Sequence, residues 1–424
     1  MTEPRSDAEP HSIAEAPAHR ATAMRGRDRH EDHRTATPLE LLFDLTFVIA
    51  FGIASAQFAH QLAEGHYQAG LIGFSFAMFA VCWAWVNFSW FASAYDNDDW
   101  IFRVTTMVQM AGVLILALGL PRMFKSIDGG PYLDNMIMVF GYVVMRLAMV
   151  FQWLRAATQD PARRKICLIY AVSIIVAQIG WVIQAIADIS VLQSFLCGVP
   201  LIAIELLGPV LAERREGGTP WHAHHIAERY GLLAIIALGE GVVGTVATIS
   251  AIVEQQGWSI DAVLICLAGT GLTFGMWWVY FTIPSAQVLH AHRERCFVWG
   301  YGHMFIFAAI AATGAGLHVA GLYIEHKAHI SALATMMTVA VPVGLYLLML
   351  YLLYTYLMQE FDRFHFGLIA GTAVVLVAAV FMAAIGVRMT LCLAALALAP
   401  LVTIIGYEMV GYRHQTQALQ RVTE

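Results

Sequence analysis

The stretch Thr37-Pro38-Leu39-Glu40-Leu41-Leu42-Phe43-Asp44-Leu45-Thr46-Phe47-Val48-Ile49-Ala50-Phe51 decides how this chain is read. It opens the first apolar run of membrane length, and it carries two carboxylates, Glu40 and Asp44. Four residues apart, they share one face of a helix. Ionisable groups inside a membrane segment are expensive and face a protein interior or a water-filled cavity. The chain is therefore expected to be an integral membrane protein with buried polarity at the start of its first helix.

The rest of the chain extends that reading. Of 424 residues, 59% are hydrophobic and 13% charged, against roughly 25% charged in soluble domains. Mean hydropathy is +0.65. A spanning helix needs about 20 apolar residues. Twelve runs qualify: 39–62, 69–93, 101–121, 133–156, 165–187, 191–212, 226–252, 260–283, 296–320, 330–358, 364–385 and 388–411. They predict an all-α, polytopic integral membrane protein with a lipid bilayer as its surroundings. Residues 1–36, polar and without apolar periodicity, predict a disordered tail that lacks the apolar core of a signal peptide. Residues 412–424 predict a second short tail. Lys and Arg number 19 on the side of the termini and 4 on the other, with Arg146 mid-helix. The excess puts both termini in the cytoplasm. A net charge of −6 and no strong basic run leave nucleic acid out as a partner. The six cysteines lie in or beside apolar segments without a CxxC, which reads as apolar filling.

An internal repeat is expected. Trp85-Val86-Asn87-Phe88 in the second run is echoed by Trp278-Val279-Tyr280-Phe281 in the eighth, and Arg103 with Gln109-Met110 by Arg295 with His303-Met304. Six spans per half would make two parallel repeats, 37–215 and 216–411, related by an axis along the membrane normal.

Several runs resemble the bacterial low temperature requirement protein A family. They are Thr37–Val48, Trp85–Asp99, Val108–Leu114, Tyr142–Arg146, and His225–Leu232 followed by Leu238-Gly239-Glu240. The resemblance covers roughly 37–410. It implies a membrane protein named for growth in the cold, with no assigned chemistry. Glu40, Asp44, Phe47 and Ile49-Ala50 are also similar to the first-helix motif of the lysosomal potassium-channel family and its bacterial relatives. In that family the first helix of each six-helix unit lines the pore. Here Phe43 stands where that motif has Ser, and Leu232 stands where the second unit wants an Asp.

The candidate ion or proton pathway comprises Glu40, Asp44, Phe47, Phe51, Arg146 and Glu240. Glu40 doubles as a helix cap beside Pro38. Arg146, in the middle of a span, must meet an acid, and Asp44, Glu205 and Glu240 are the candidates. Glu240, between Gly239 and Gly241, is a candidate proton-relay carboxyl. Asp96, Asp98 and Asp99, with Arg103, face the pseudo-equivalent Arg293 and Arg295, so a bridge between halves is expected; cation binding is the alternative. Gln109, Glu205, His225, Glu228 and His303 are further polar candidates. His225 and Glu228 share a face but lack a second ligand pair, so no metal is expected, and no cofactor.

Transport or conduction of a small ion or proton between the halves is the leading functional expectation. The alternatives are a non-transport membrane factor supporting low-temperature growth and a membrane-embedded enzyme. Against the enzyme stands the absence of a Ser-His-Asp pattern, a P-loop, a haem-type His pair or a CxxC.

Overall fold

The computed structural model describes residues 21–31, 34–187, 189–215, 217–360 and 363–423. Among them no strand occurs, and twelve helical segments are long and apolar enough to cross a membrane. The elements are α1 (Pro38–Ala63), α2 (Tyr67–Tyr95), α3 (Trp100–Gly129), α4 (Met136–Gln159), α5 (Arg164–Ile186), α6 (Val191–Glu213), α7 (Ala223–Gln256), α8 (Ile260–Phe281), α9 (Ser285–Ala291), α10 (Cys296–Ile324), α11 (Ala332–Met358), α12 (Arg363–Ala384), α13 (Met389–Leu396), α14 (Ala399–Gly406) and α15 (Tyr412–Thr423).

Local chemistry sets the helix starts. Thr37 and Glu40 form a reciprocal capping box on α1, with Glu40 accepting from the Thr37 N–H at 2.7 Å. Asp99 caps α3, Ser190 caps α6 and Ser331 caps α11. The last expected span, 388–411, is not one continuous α-helix. It breaks at Ala397-Leu398, before Pro400, and then runs through a π-helical turn, Tyr407–Gly411, into α15. Proline withholds a backbone N–H, which explains the break. The expected tail 412–424 is thus largely helical.

The buried core is one continuous cluster running through α1–α5, α7, α8, α10 and α11, with α10 and α2 the most enclosed helices. α1 packs on α2, α3, α7 and α10, and α7 lies along α10. Gly314 of α10 makes the last contact close: a Cβ there would stand 2.5 Å from the Glu240 carbonyl. Gly112 does the same for α3 on α4, 2.7 Å from the Gly141 carbonyl oxygen. Small residues at such crossings let helices pack by close van der Waals contact in lipid. Part of the neighbour order recurs along the chain, although α2 packs on α3 and α4 whereas α8 packs on α13 and α14. α1 meets α2 and α3 as α7 meets α8 and α10; α3–α4 and α4–α5 correspond to α10–α11 and α11–α12.

The described part of the expected N-terminal tail is non-helical but anchored. The Thr22 N–H donates to Asp99 at 3.0 Å, the Met24 N–H to Gln159 at 2.6 Å, and Arg27 to the Asp96 carbonyl at 3.1 Å. Met24 is buried. This strap covers one end of the helix bundle. Residues 1–20, 32 and 33 of that tail lie outside the described residues.

Candidate functional site: buried charges along α1, α7 and α10

α1 and α7 run parallel, and three of their contacts share one register. His225 meets Glu40 at 3.2 Å, Arg229 meets Asp44 at 2.5 Å, and Glu240 lies within hydrogen-bonding reach of Ser55. Each pair is 185 residues apart. On α7 the residues 225, 229 and 240 fall on one face, because four and eleven residues are close to whole turns.

The first two pairs form one network at the strap end of the bundle. Arg229 bridges both acids of the opening motif, lying 2.9 Å from Glu40 and 2.5 Å from Asp44. The Trp85 indole N–H donates to Asp44 at 2.7 Å. The guanidinium also lies near the Trp85 and Phe88 rings, 5.6 and 5.8 Å from their centroids. Glu40, Asp44, His225 and Arg229 are fully buried. The strap extends the network outward, since Arg34 stands 3.9 Å from Glu40 and 3.7 Å from Asp96. Burial and the negative charge of Glu40 push the Asp96 carboxyl up to about 6, against the opposing pull of Arg34. Burial lowers the Arg34 guanidinium from its ordinary value.

Glu240 stands about 16 Å farther along α7 than Arg229, eleven residues at helical rise. It is nearly buried between α1 and α10, and it makes no ion pair among the described residues. A Cβ on Gly52 would come 3.4 Å from its Oε1. The Ser55 hydroxyl donates to the Ala311 carbonyl at 3.4 Å, which ties the spot to α10. Phe47, Ala50, Phe51, Leu233 and Ala237 are fully buried at intermediate positions on α1 and α7. In this state, apolar side chains separate Glu240 from the network.

Of the three acids considered for Arg146, the structure gives it Glu205. That carboxylate also accepts from Trp83 at 2.7 Å, Tyr142 at 3.0 Å and Gln178 at 3.2 Å. The group ties α2, α4, α5 and α6 within the first half. It does not meet Asp44 or Glu240. The ion pairs seen at Asp96, Asp98 and Asp99 among the described residues do not make the expected bridge between hairpins. Asp96 pairs with Arg34, Asp98 with Arg103 at 2.7 Å, and Asp99 with Arg155. Arg293 donates to the Trp221 carbonyl and stacks on its ring, and Arg295 donates to the Leu357 carbonyl. The tail and α4 supply cations closer to the aspartates than α9 or α10 can.

Gln109 is buried with neither amide atom partnered among the described residues. Glu228 turns outward and accepts from the Ala36 N–H at 3.3 Å, away from His225. His303 bonds to the Trp299 carbonyl at 2.7 Å and to the Tyr280 hydroxyl at 3.0 Å, inside an aromatic cluster. A cavity of about 720 Å³ between α1, α2, α10 and α11 is lined by apolar groups such as Phe58, Met78 and Met337, and by none of the expected site residues.

Sequence reasoning missed Arg229, the centre of the network. The count of Lys and Arg by side of the membrane takes it as one of the 19 charges on the side of the termini, although it lies inside the expected span 226–252. Its position four residues after His225 and eleven before Glu240 was the available signal.

The family model for the bacterial low temperature requirement A protein matches residues 35–400. The chain belongs to this family. The match includes Glu40, Asp44, Arg229 and Glu240, and leaves most of the strap outside it. The chain is also similar to an uncharacterized protein of Rhizobium meliloti (strain 1021), 24% identical over 308 residues, covering 68% of this chain and 70% of the relative. No solved structure matches it.

Proposed function

We propose that this protein moves a proton or a small cation through the α1–α7–α10 interface. The observation that carries the reading is Glu240, a carboxyl deep in the membrane that has a hydroxyl neighbour and no counter-cation among the described residues. Intramembrane acids of this kind mark ion paths and proton relays. Glu240 takes up the proton or cation. The Glu40–Arg229–Asp44 network, with Phe47 and Phe51 beyond it, closes the strap end. The recurrence of the α1–α2, α1–α3, α3–α4 and α4–α5 contacts as α7–α8, α7–α10, α10–α11 and α11–α12 supports two parallel repeats, 37–215 and 216–411, with the path between them. The Lys and Arg excess supports cytoplasmic termini in a bacterial inner membrane.

The test is flux in liposomes holding the purified protein, across several monovalent cations and an imposed pH gradient. Flux is expected in the wild type, with a loss of tenfold or more in Glu240→Gln. Absence of flux under all conditions, or full flux in Glu240→Gln, defeats the reading. A non-transport membrane factor is the second reading. It draws on the dryness of the Asp44–Arg229 pair, which suits a static helix clamp.

A further inference from the structure

We infer that a water-filled inlet enters the first half from its strap end and reaches the Arg146–Glu205 pair in mid-membrane. It is separate from the α1–α7 seam and independent of the transport reading. Five buried polar atoms in this region have no partner among the described residues: Arg146 Nε and Nη1, Gln178 Oε1, Trp153 Nε1 and Trp181 Nε1. All four side chains are more than nine-tenths buried. Glu205 meets only one of the Arg146 nitrogens, Nη2, and its own two oxygens also accept from Trp83, Tyr142 and Gln178. Orphaned donors are expensive in a membrane interior, those of a guanidinium most of all. α6 turns a matching face to this region. Its buried residues are Ser194, Gly198, Glu205, Gly208 and Ala212, none a large apolar side chain.

A cavity supplies the way in. It holds about 30 Å³ between α2, α4, α5, α6 and α10, and its walls include Trp83, Asn87, Trp153, Tyr170, Glu213 and Tyr301. One water needs roughly 10–15 Å³ of such space. Glu213, partly exposed as the last residue of α6, marks the outer end, where it accepts from the Tyr170 hydroxyl at 3.0 Å. Trp153, one of the orphaned donors, lies on the wall. Trp83 lines the same cavity and donates inward to Glu205 at 2.7 Å, so one side chain separates the cavity from the ion pair. Arg146 is seven residues before Trp153 on α4, about 10 Å deeper at helical rise. Charge then selects the occupant. Arg146 and Glu205 balance each other, so an ion added beside them would stand uncompensated in the membrane. The orphans comprise donors and an acceptor. Water is the small neutral molecule that serves both, and a buried water typically makes about three hydrogen bonds.

The experiment is radiolytic hydroxyl labelling of the full chain in lipid nanodiscs, read residue by residue by mass spectrometry. X-rays generate the radical from water where it is bound, so a buried side chain is labelled beside a bound water. Trp299 is the internal control, because it is equally buried and its N–H is held by Ser285 at 3.1 Å. Trp153 and Trp181 are expected to label at least tenfold faster than Trp299. In Gln178→Leu, which removes the acceptor, the Trp181 rate is expected to fall at least threefold while Trp299 is unchanged. Wild-type labelling of Trp153 and Trp181 no faster than that of Trp299 overturns the proposal, whether or not the variant folds. Labelling of Trp153 with Trp181 silent also overturns it, since water then stops in the cavity short of Arg146. So does an unchanged Trp181 rate in a folded Gln178→Leu protein. Loss of flux in Glu240→Gln leaves these rates as they are, so the two readings fail separately.

Discussion

Replacing Arg229 by Gln tests the central network most directly. The guanidinium serves two buried carboxylates at once, 2.9 Å from Glu40 and 2.5 Å from Asp44. Removing one partner of a buried pair costs about 3–5 kcal/mol, because the other charge is left uncompensated. The two acids are not equally exposed to that loss. Glu40 keeps the Thr37 N–H at 2.7 Å, His225 at 3.2 Å and the more distant Arg34. Asp44 keeps only the Trp85 indole among the described residues, and its second oxygen has no partner. Most of the penalty therefore falls on Asp44.

The expected order of stability follows. Arg229→Gln loses about 3–5 kcal/mol of unfolding free energy. Adding Asp44→Asn to it recovers at least about 1.5 kcal/mol, since a buried neutral amide costs less than a buried charge. Adding Glu40→Gln instead recovers less, because Glu40 retains its cap and its histidine. The assay is denaturant unfolding in mixed micelles, followed by tryptophan fluorescence, with all four proteins in one buffer. A loss under about 1 kcal/mol for Arg229→Gln refutes the reasoning, since it is what an exposed, hydrated pair gives, and so does a further loss on adding Asp44→Asn, since Asp44 is then compensated without Arg229.

Three other predictions rest on separate contacts. Asp96 is held at about 6 in the folded chain against 3.8 ordinarily, so the stability it contributes is present below pH 3.8 and is lost as pH rises through 6. Thermal melts of the wild type and Asp96→Asn should therefore coincide most nearly at pH 4 and diverge toward pH 7.5, with the Asn form the more stable; a pH-independent gap goes against it. Gly314→Ala puts a methyl 2.5 Å from the Glu240 carbonyl, so a loss of about 1–3 kcal/mol is expected from overpacking; a wild-type melt shows that α10 yields freely. Arg146→Met alone should cost about 3–5 kcal/mol by stranding Glu205, whereas Arg146→Met/Glu205→Leu should recover much of it; a double variant no better than the single is the contrary result.

The helices were legible because apolar length is a one-dimensional property. The expected run 39–62 became Pro38–Ala63, and 133–156 became Met136–Gln159. Partnership was less legible, because it depends on which faces meet. Arg146 demanded an acid by its position in a span, but three acids satisfied that demand on paper. Only the packing of α4 on α5, and α5 on α6, selects Glu205. Arg229 failed for the opposite reason. Lying near the start of its span, it looked like a surface charge, and counting Lys and Arg by side of the membrane absorbed it. The three hairpin aspartates misled through the repeat. Pseudo-equivalence suggested Arg293 and Arg295, while a strap without apolar periodicity supplied Arg34.

The shared register of α1 and α7 constrains how any path could open. His225–Glu40, Arg229–Asp44 and Glu240–Ser55 all lie along one seam between parallel helices. Sliding one helix by a turn would therefore disturb all three contacts together. Sliding one turn would also carry Arg229 about 5.4 Å along the axis, which exceeds the reach of its present pairs. Separation of the seam, with water entering beside Phe47 and Phe51, breaks the same contacts but lets the charges be solvated where they stand. Arg34 is the outermost cation of that seam and is anchored by the strap rather than by a span. Lifting the strap exposes Glu40 before any transmembrane helix moves. A path that opened from the strap end would thus hydrate Arg34 and Glu40 first, then Asp44 and Arg229, before any movement at Glu240.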